Sequence, residues 1–353
     1  MDPQQMEKSG ETSPKIAVII LNWNGSALLR RYLPAVVATT DSAISRIIVA
    51  DNGSSDDSLD YVKSEFGGCV ELMPFDCNYG FAEGYNRAVA LAEGYEYVVL
   101  LNSDVATSPG WDRVLLDYME SHPRCGACQP KLLSDKLRDT FEYAGACGGY
   151  LDRYGYPYCR GRIFGVCEKD SGQYDSIADD IHWASGACLF IRRKVYIESG
   201  GLDAGFFAHM EEIDMCWRIR LSGFSLAAVP QAVVYHLGGG SLPAENPRKT
   251  YLNFRNNLLM LHKNMPDADR VRVLFVRRLL DTAAFAKYLL TLDFANAGAI
   301  VSAHRDFRKM KGAYARHPQC NLLPLSPCSR LSILWQYYIR GRKRFSQLIS
   351  TFE

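Results

Sequence analysis

The apolar run Val98-Val99-Leu100-Leu101 stops on Asn102-Ser103-Asp104. A buried strand that ends on a carboxylate presents it at a sheet edge, where it can hold a divalent cation, and such an ion neutralises the charge developing on a departing diphosphate. Asp104 is therefore the first candidate metal ligand. Its competing use is as a cap for the helix that Ser108-Pro109 would start. Upstream, Val49-Ala50 ends in the same way on Asp51-Asn52-Gly53-Ser54-Ser55-Asp56. Turn and capping chemistry accounts for half of that motif but leaves Asp51 over, and a carboxylate there can accept the imide N–H of uracil or thymine. Two strands of one sheet, each ending in an acid, suggest a nucleotide-sugar site.

Other residues join these. Asn22 and Asn24, in Asn22-Trp23-Asn24-Gly25, offer amides where a base could lie, and Trp23 fits a core position equally well. In Asn78-Tyr79-Gly80-Phe81-Ala82-Glu83-Gly84-Tyr85-Asn86, Gly80 and Asn86 stand at a loop-to-helix junction whose backbone N–H groups can approach phosphate or ribose. Asn52, Asn102 and Ser103 complete the candidate nucleotide-sugar set. A second acidic centre, His209-Met210-Glu211-Glu212-Ile213-Asp214, supplies Glu211, Glu212 and Asp214 as candidate bases for an acceptor hydroxyl, although an acidic first helical turn is also ordinary. His236 follows the strand-like Ala232–Tyr235 and precedes Gly238-Gly239-Gly240; a lone histidine is more often structural, but here it is a candidate metal ligand with Asp104.

The elements that must position these groups alternate. Residues 1–14 are polar and unpatterned and read as a flexible leader. Strands are expected at Ile16–Leu21, Ile47–Ala50, Val70–Pro74 and Tyr97–Leu101, with helices at Ala27–Thr39, Ser58–Phe66 and Gly84–Ala92 between them. Such β-α-β-α order implies an α/β fold with a mainly parallel sheet covered on both faces, its site at the carboxyl ends of the strands. Gly145–Asp180 reads as an acceptor-side excursion, Trp183–Arg192 as a returning strand and Glu211–Ser222 as a helix. This domain is drawn over residues 15–240. Residues 241–353 form a helical, basic region, with helices at Tyr251–Lys263, Val271–Leu292 and Leu331–Ile349.

The net charge of +1 hides an asymmetry: residues 1–240 carry 21 Lys and Arg against 32 Asp and Glu, and residues 241–353 carry 19 against 7. The basic part reads equally as a solvated helical face that offsets the acidic domain or as suited to an anionic surface, here a membrane or a lipid-linked phosphate rather than nucleic acid. Arg340, Arg342, Lys343 and Arg344 beside Leu334, Trp335, Phe345 and Leu348 predict peripheral attachment. No stretch is long and apolar enough to span a bilayer; Val271–Val301 is interrupted by Arg277, Arg278, Asp281, Lys287 and Asp293. The 11 cysteines, odd in number and scattered, fit reduced thiols in a cytoplasmic protein, peripheral at most to the inner face of the plasma membrane. A zinc site built on Cys125 and Cys128 with Cys147, Cys159 and Cys167 lacks tight spacing in its second pair.

Taken in order, Ile19-Ile20-Leu21-Asn22-Trp23-Asn24-Gly25, the Asp51 and Asn78-Tyr79-Gly80-Phe81 segments, Leu100-Leu101-Asn102-Ser103-Asp104, Gly186-Ala187-Cys188, Glu211-Glu212-Ile213-Asp214 with Cys216-Trp217-Arg218, and His236 before Gly238-Gly239-Gly240-Ser241 resemble glycosyltransferase family 2, inverting enzymes of GT-A fold, and especially its rhamnosyltransferase-like branch. The resemblance covers residues 15–262. It implies transfer of a sugar from a UDP- or dTDP-linked donor to a hydroxyl of a glycan or polyprenyl-linked acceptor in surface polysaccharide synthesis. It also implies Mg²⁺ or Mn²⁺ as cofactor, Asp51 on the base, Asp104 as the last acid of a DxD-type motif and His236 completing the cation's shell. Two departures stand out: Asn102 replaces the motif's first acid, and Glu212 stands where the family has an aspartate base. Two rival functions remain at this stage. A sugar nucleotidyltransferase would want a basic glycine-rich loop, yet Asn22–Ala27 has no Lys or Arg; a non-catalytic nucleotide-sugar-binding subunit is suggested by Asn102.

Overall fold

The computed structural model describes residues 13–238, 246–316 and 327–349. Its first half follows the expected alternation: β1 (Ile16–Asn22), α1 (Ser26–Thr39), β2 (Ser45–Asp51), α2 (Ser58–Phe66), β3 (Val70–Pro74), α3 (Phe81–Leu91) and β4 (Tyr97–Asn102). There follow β5 (Val105–Thr107), α4 (Trp111–Ser121), β6 (Cys125–Ser134), the short strands β7 (Gly149–Leu151), β8 (Pro157–Cys159), β9 (Arg162–Ile163) and β10 (Val166–Cys167), then β11 (Cys188–Arg192), α5 (Arg193–Glu198), α6 (Glu211–Leu221) and β12 (Ser225–His236). Three helices close the chain: α7 (Pro247–Asn264), α8 (Asp267–Leu290) and α9 (Phe294–Met310).

Eight strands form one sheet in the order β3-β2-β1-β4-β11-β6-β12-β5. β3, β2, β1 and β4 run parallel, as do β6 and β12, while β11 and β5 run against their neighbours. The period-2 alternation of β1 explains its burial on both faces: Ala17 and Ile19 enter one core, Ile16, Val18 and Ile20 the other. Each fully buried aliphatic side chain of this kind stabilises the fold by about 1.5–3 kcal/mol. Register then fixes which residues share the carboxyl edge. Asn22 pairs with Asp51, Leu21 with Asn102, and His236 with both Val105 and Ser134.

The excursion after β6 contains a separate antiparallel sheet, β10-β9-β8-β7, whose strands are too short for their pattern to show in sequence. The returning strand begins at Cys188 rather than Trp183, because Trp183 is held in the core against Gly149, where even a Cβ would lie 2.1 Å from its ring. The helix expected at Leu331–Ile349 is broken into single turns, Trp335–Ile339 and Phe345–Gln347, with Gly341 at φ 67° between them. Tertiary contacts outweigh helix propensity there: Ile333 N donates to Asp152, and Phe345 N to Glu168. The leader up to residue 12 and the 240/241 boundary lie outside the described residues. Among the described residues all cysteines are free, no three His, Cys, Asp or Glu side chains gather as a metal site, and no helix is long and apolar enough to cross a membrane. Cys125 and Cys128 are buried in β6 and do not gather with Cys147, Cys159 and Cys167 into a group that could hold an ion.

Candidate active site

At the carboxyl edge β4 delivers Asp104 and β12 delivers His236, and the two meet: His236 Nε2 lies 3.1 Å from Asp104 Oδ1. On the other side of the imidazole, Nδ1 lies 3.3 Å from Glu142 Oε1, off the line of a hydrogen bond. Burial alone would lower the pKa of His236, but the Asp104 and Glu142 carboxylates outweigh it and lift the value to about 10. Asp104 moves the other way: burial opposes ionisation, yet His236 holds its carboxyl below the ordinary range. Glu142 carried no signal in the sequence, since it sits in a stretch of weak periodicity and reaches His236 only through the fold.

Asp51 lies two strands from Asp104 on the same edge and is 1% exposed. Its Oδ1 accepts from Asn22 Nδ2 at 2.9 Å and its Oδ2 from Ser54 N at 2.9 Å. Asn24 fastens the first loop to the second, accepting from Ser55 N at 2.8 Å. Asn52 joins the third: its Nδ2 donates to Gly80 O at 3.0 Å, and its Oδ1 accepts from Tyr79 N at 3.0 Å. Gly80 itself takes φ 79°, and a Cβ there would lie 3.9 Å from the Phe207 ring. These loops form one hydrogen-bonded rim. Trp23, undecided between core and site, is 57% exposed beside it. Asn86 belongs elsewhere: its amide brackets Leu202, donating to the carbonyl at 2.8 Å and accepting from the N–H at 2.9 Å, so α3 is tied to the turn before α6. Asn102 and Ser103 are half-buried between these groups, with Asn102 N donating to Ala187 O at 3.0 Å.

The second acidic centre separates into two roles. Asp214 is fully buried and saturated: Oδ2 accepts from Arg218 Nε at 2.9 Å and Lys263 Nζ at 2.8 Å, and Oδ1 from Asn264 Nδ2 at 2.8 Å. Burial opposes its ionisation, but Arg218 and Lys263 hold it ionised. It is an anchor between α6 and α7, and as a base it is ruled out by these partners. Glu211 and Glu212 instead each keep a buried Oε2 with no hydrogen-bond partner. Burial raises both pKa values, and for Glu211 the neighbouring Glu212 charge raises it further. Glu212 packs over Gly186, where a Cβ would stand 3.6 Å from its own Cβ, and Gly186 precedes the Ala187 that pairs with Asn102. Glu212 thus lies in van der Waals contact with the segment that pairs with the end of β4.

The loop that delivers this pair is strained. Phe207 has φ 67° and ψ −59°, and Ala208 N donates to Phe206 O at 2.8 Å, which makes a γ-turn of the rare, strained kind. His209 and Met210 follow at φ 68° and 73°. Each such non-glycine position costs roughly 1–3 kcal/mol and needs its surroundings to enforce it. α7 does so: Asn256 Nδ2 lies 2.9, 2.9 and 2.7 Å from the carbonyls of Phe206, Ala208 and His209, and Arg255 Nη2 donates to Phe206 O at 2.9 Å. These positioning residues escaped sequence reasoning; consecutive Asn256 and Asn257 just before the apolar Leu258–Leu261 were the one available signal.

The chain has known relatives. The sequence signature of Glycosyl transferase family 2 matches residues 17–199 of the 353. The chain belongs to this family. This glycosyltransferase is 27% identical over 236 residues to the N-acetylglucosaminyl-diphospho-decaprenol L-rhamnosyltransferase of Mycobacterium tuberculosis (strain ATCC 25618 / H37Rv), covering 63% of its own length and 75% of the relative's. Among solved structures it resembles S. aureus TarS 1-349 in complex with UDP-GlcNAc (TM-score 0.54, 13% identity, 83% of this chain and 80% of that one). It also resembles the mannosyltransferase PcManGT from Pyrobaculum calidifontis in complex with GDP-Man and Mn²⁺ (TM-score 0.51, 13% identity, 86% and 84%). At that identity the two structures establish the GT-A fold alone. Membership of the family leaves the nucleotidyltransferase and the non-catalytic subunit without support.

Proposed function

We propose that this glycosyltransferase inverts the anomeric centre, with the donor laid along the carboxyl edge and Glu212 as the base. The acceptor hydroxyl gives its proton to Glu212 as its oxygen bonds to the anomeric carbon; the bond from that carbon to the donor phosphate oxygen breaks, and its electron pair leaves with the nucleotide diphosphate. The observation that carries this reading is the buried, unpartnered Oε2 of Glu212 over Gly186, on the segment next to the end of β4, whose edge holds Asp104 and His236.

Asp104 and His236 would hold the divalent cation. Their donor set, one carboxylate oxygen and one imidazole nitrogen, suits Mn²⁺ better than Mg²⁺, and a carboxylate beside the other ring nitrogen, here Glu142, is the usual partner of a metal-bound histidine. With only two protein ligands, substrate phosphate and water would complete the ion's shell, which would accommodate Asn102 in place of an acid. Bound there, the ion supplies a positive counter-charge for the leaving diphosphate. Asp51, with Asn22 and the exposed Trp23, would receive a uracil or thymine base, so UDP- or dTDP-sugars are the expected donors. Incubating the protein with a panel of UDP-, dTDP- and GDP-sugars and Mn²⁺ should show binding and slow hydrolysis of at least one. Silence across the whole panel would remove the reading.

The acceptor we infer is a polyprenyl-linked sugar, following the decaprenol-linked substrate named for the mycobacterial relative. Of the tail residues expected to touch a membrane, Phe345 and Leu348 are buried while Trp335 is 53% exposed, and α8 offers a further apolar face that would make the contact. Val271, Phe275 and Leu279 recur at four-residue spacing on the exposed side of α8, and Leu290, Leu292 and Phe294 crown the turn into α9. Arg272, Arg278 and Lys287 flank them. Flotation with anionic liposomes should succeed for the native chain and weaken for the double variant Phe275→Asp, Leu279→Asp; equal flotation of both places the contact elsewhere.

A further inference from the structure

The amino end of α7 carries the sign opposite to the one a helix favours. Asn246 caps it, accepting from Arg248 N at 2.9 Å, and Arg248 and Lys249 follow in the first turn. Free backbone N–H groups already make a helix start positive, so adjacent cations are unfavourable unless an anion joins them. Among the described residues neither cation has a carboxylate within ion-pair reach, although the domain around them is acidic overall. Each lies instead against a ring: Arg248 Cζ is 4.8 Å from the centre of Phe207 and Lys249 Nζ 5.9 Å from that of Tyr143.

A third cation reaches the same Tyr143 ring. Arg162 Cζ lies 4.6 Å from its centre, yet Arg162 is only 5% exposed; its Nη2 donates to Cys159 Sγ at 3.2 Å and its Nε has no partner. A buried guanidinium facing a thiol and a ring, with no carboxylate among the described residues, is an uncompensated charge. Tyr143 itself is half-exposed, so this charge is felt at an open surface. The location is defined on both sides. Tyr143 directly follows Glu142, which faces His236, while Phe207 and His209 belong to the loop that delivers Glu212. His209 responds to the same field: burial, and then the Lys249 charge, lower its pKa to about 4, and its buried Nε2 is unpartnered.

We propose that Arg162, Arg248 and Lys249 form an anion subsite around Tyr143 that takes a substrate phosphate or diphosphate on the acceptor side of the base loop. The proposal rests on the glycosyl-transfer reading for its substrate, not for its binding chemistry. The shared ligand chemistry has two sources, the diphosphate of a lipid-linked acceptor or that of the donor, and position favours the acceptor, because the donor's diphosphate has the Asp104–His236 corner.

The test uses the full chain. In EDTA, inorganic pyrophosphate should bind the native protein with an affinity that falls as salt rises, and Arg248→Gln with Lys249→Gln should weaken it about tenfold or more, the worth of a charge-assisted contact. Arg248 is exposed and Lys249 half-buried, and a thermal melt of the double variant checks that the fold is kept; Arg162→Lys, which keeps the charge but not the fork, should weaken it less than Arg162→Gln. In steady-state transfer the double variant should raise KM for a diphosphate-bearing acceptor and leave KM for the same sugar without phosphate unmoved. A rise in donor KM instead assigns the anion to the donor and overturns the acceptor-side placement. Pyrophosphate binding that is absent, or unchanged in the double variant, overturns the subsite itself. If pyrophosphate binds as expected but no nucleotide sugar is ever consumed, the transfer reading falls and the subsite stands.

Discussion

Asp104 and His236 are placed by strand register, whereas Glu211 and Glu212 are placed by a backbone turn that side-chain sterics disfavour and that an amide fifty residues along the chain, Asn256, holds in shape. The first corner inherits the rigidity of an eight-stranded sheet. The second is poised, its geometry maintained by α7 against a local energetic preference. One edge therefore carries a corner, proposed to bind the cation, that is hard to deform and another, proposed to accept the proton, that can be perturbed from a distance.

The largest expected effect tests the second corner directly. Glu212→Gln should lower kcat by roughly 10²–10⁴ with the donor still bound, as loss of a general base does, while Glu211→Gln should fall far short of that. A greater loss from Glu211→Gln would exchange their roles. Next comes the first corner: Asp104→Asn should reduce kcat/KM by about 10²–10³, the scale of losing an electrostatic stabiliser. Glu142→Gln should weaken Mn²⁺ affinity by about 10–100-fold, measured by titrating activity with the ion, because it removes the carboxylate charge beside His236 Nδ1. An unaltered Mn²⁺ response would leave Glu142 a bystander.

Asn256→Ala separates the two corners most cleanly. It should cost about 1–3 kcal/mol in urea unfolding, since it orphans buried carbonyls, and lower kcat without altering Mn²⁺ affinity. Loss of Mn²⁺ affinity in that variant would mean that the corners are not independent. The smallest effect is a pH dependence. Burial raises the pKa of both glutamates, so the acid limb of kcat/KM should lie above the ordinary glutamate value of 4.5. Stability runs the other way: what the neutral carboxyls contribute is present below that ordinary value and is lost as pH rises through the raised ones. Activity should therefore climb while stability declines across the same window, and Glu211→Gln should flatten the stability slope.

How far each corner could be read from sequence follows from the same difference. Val98–Leu101 ending on Asp104, and the run ending on Asp51, are local patterns, and parallel strands of matched length bring their tips together without further information. His236 at a strand end followed by glycine belongs to that class. Glu142, Arg255 and Asn256 act through contacts remote in sequence, and nothing in their neighbours announces them. Asp214 misled for a related reason: an acid in a first helical turn looks the same whether it faces solvent or, as here, Lys263, Asn264 and Arg218. The expected helix beyond Leu331 failed because Glu168, in the excursion, captures the Phe345 N–H that a helix would have used, and Asp152 holds the Ile333 N–H at its start.

The γ-turn at Phe207 sets a trap for anyone wishing to toughen this enzyme. Replacing Phe207 by glycine would relieve the torsional penalty and looks attractive on a stability scale, but it would also free the hinge on which the proton acceptor is cantilevered and strip the aromatic wall beside Gly80 and Arg248. If Glu212 is the base, heat tolerance and turnover would be coupled through that peptide, and selection for the former alone should drift toward a sturdier, slower protein.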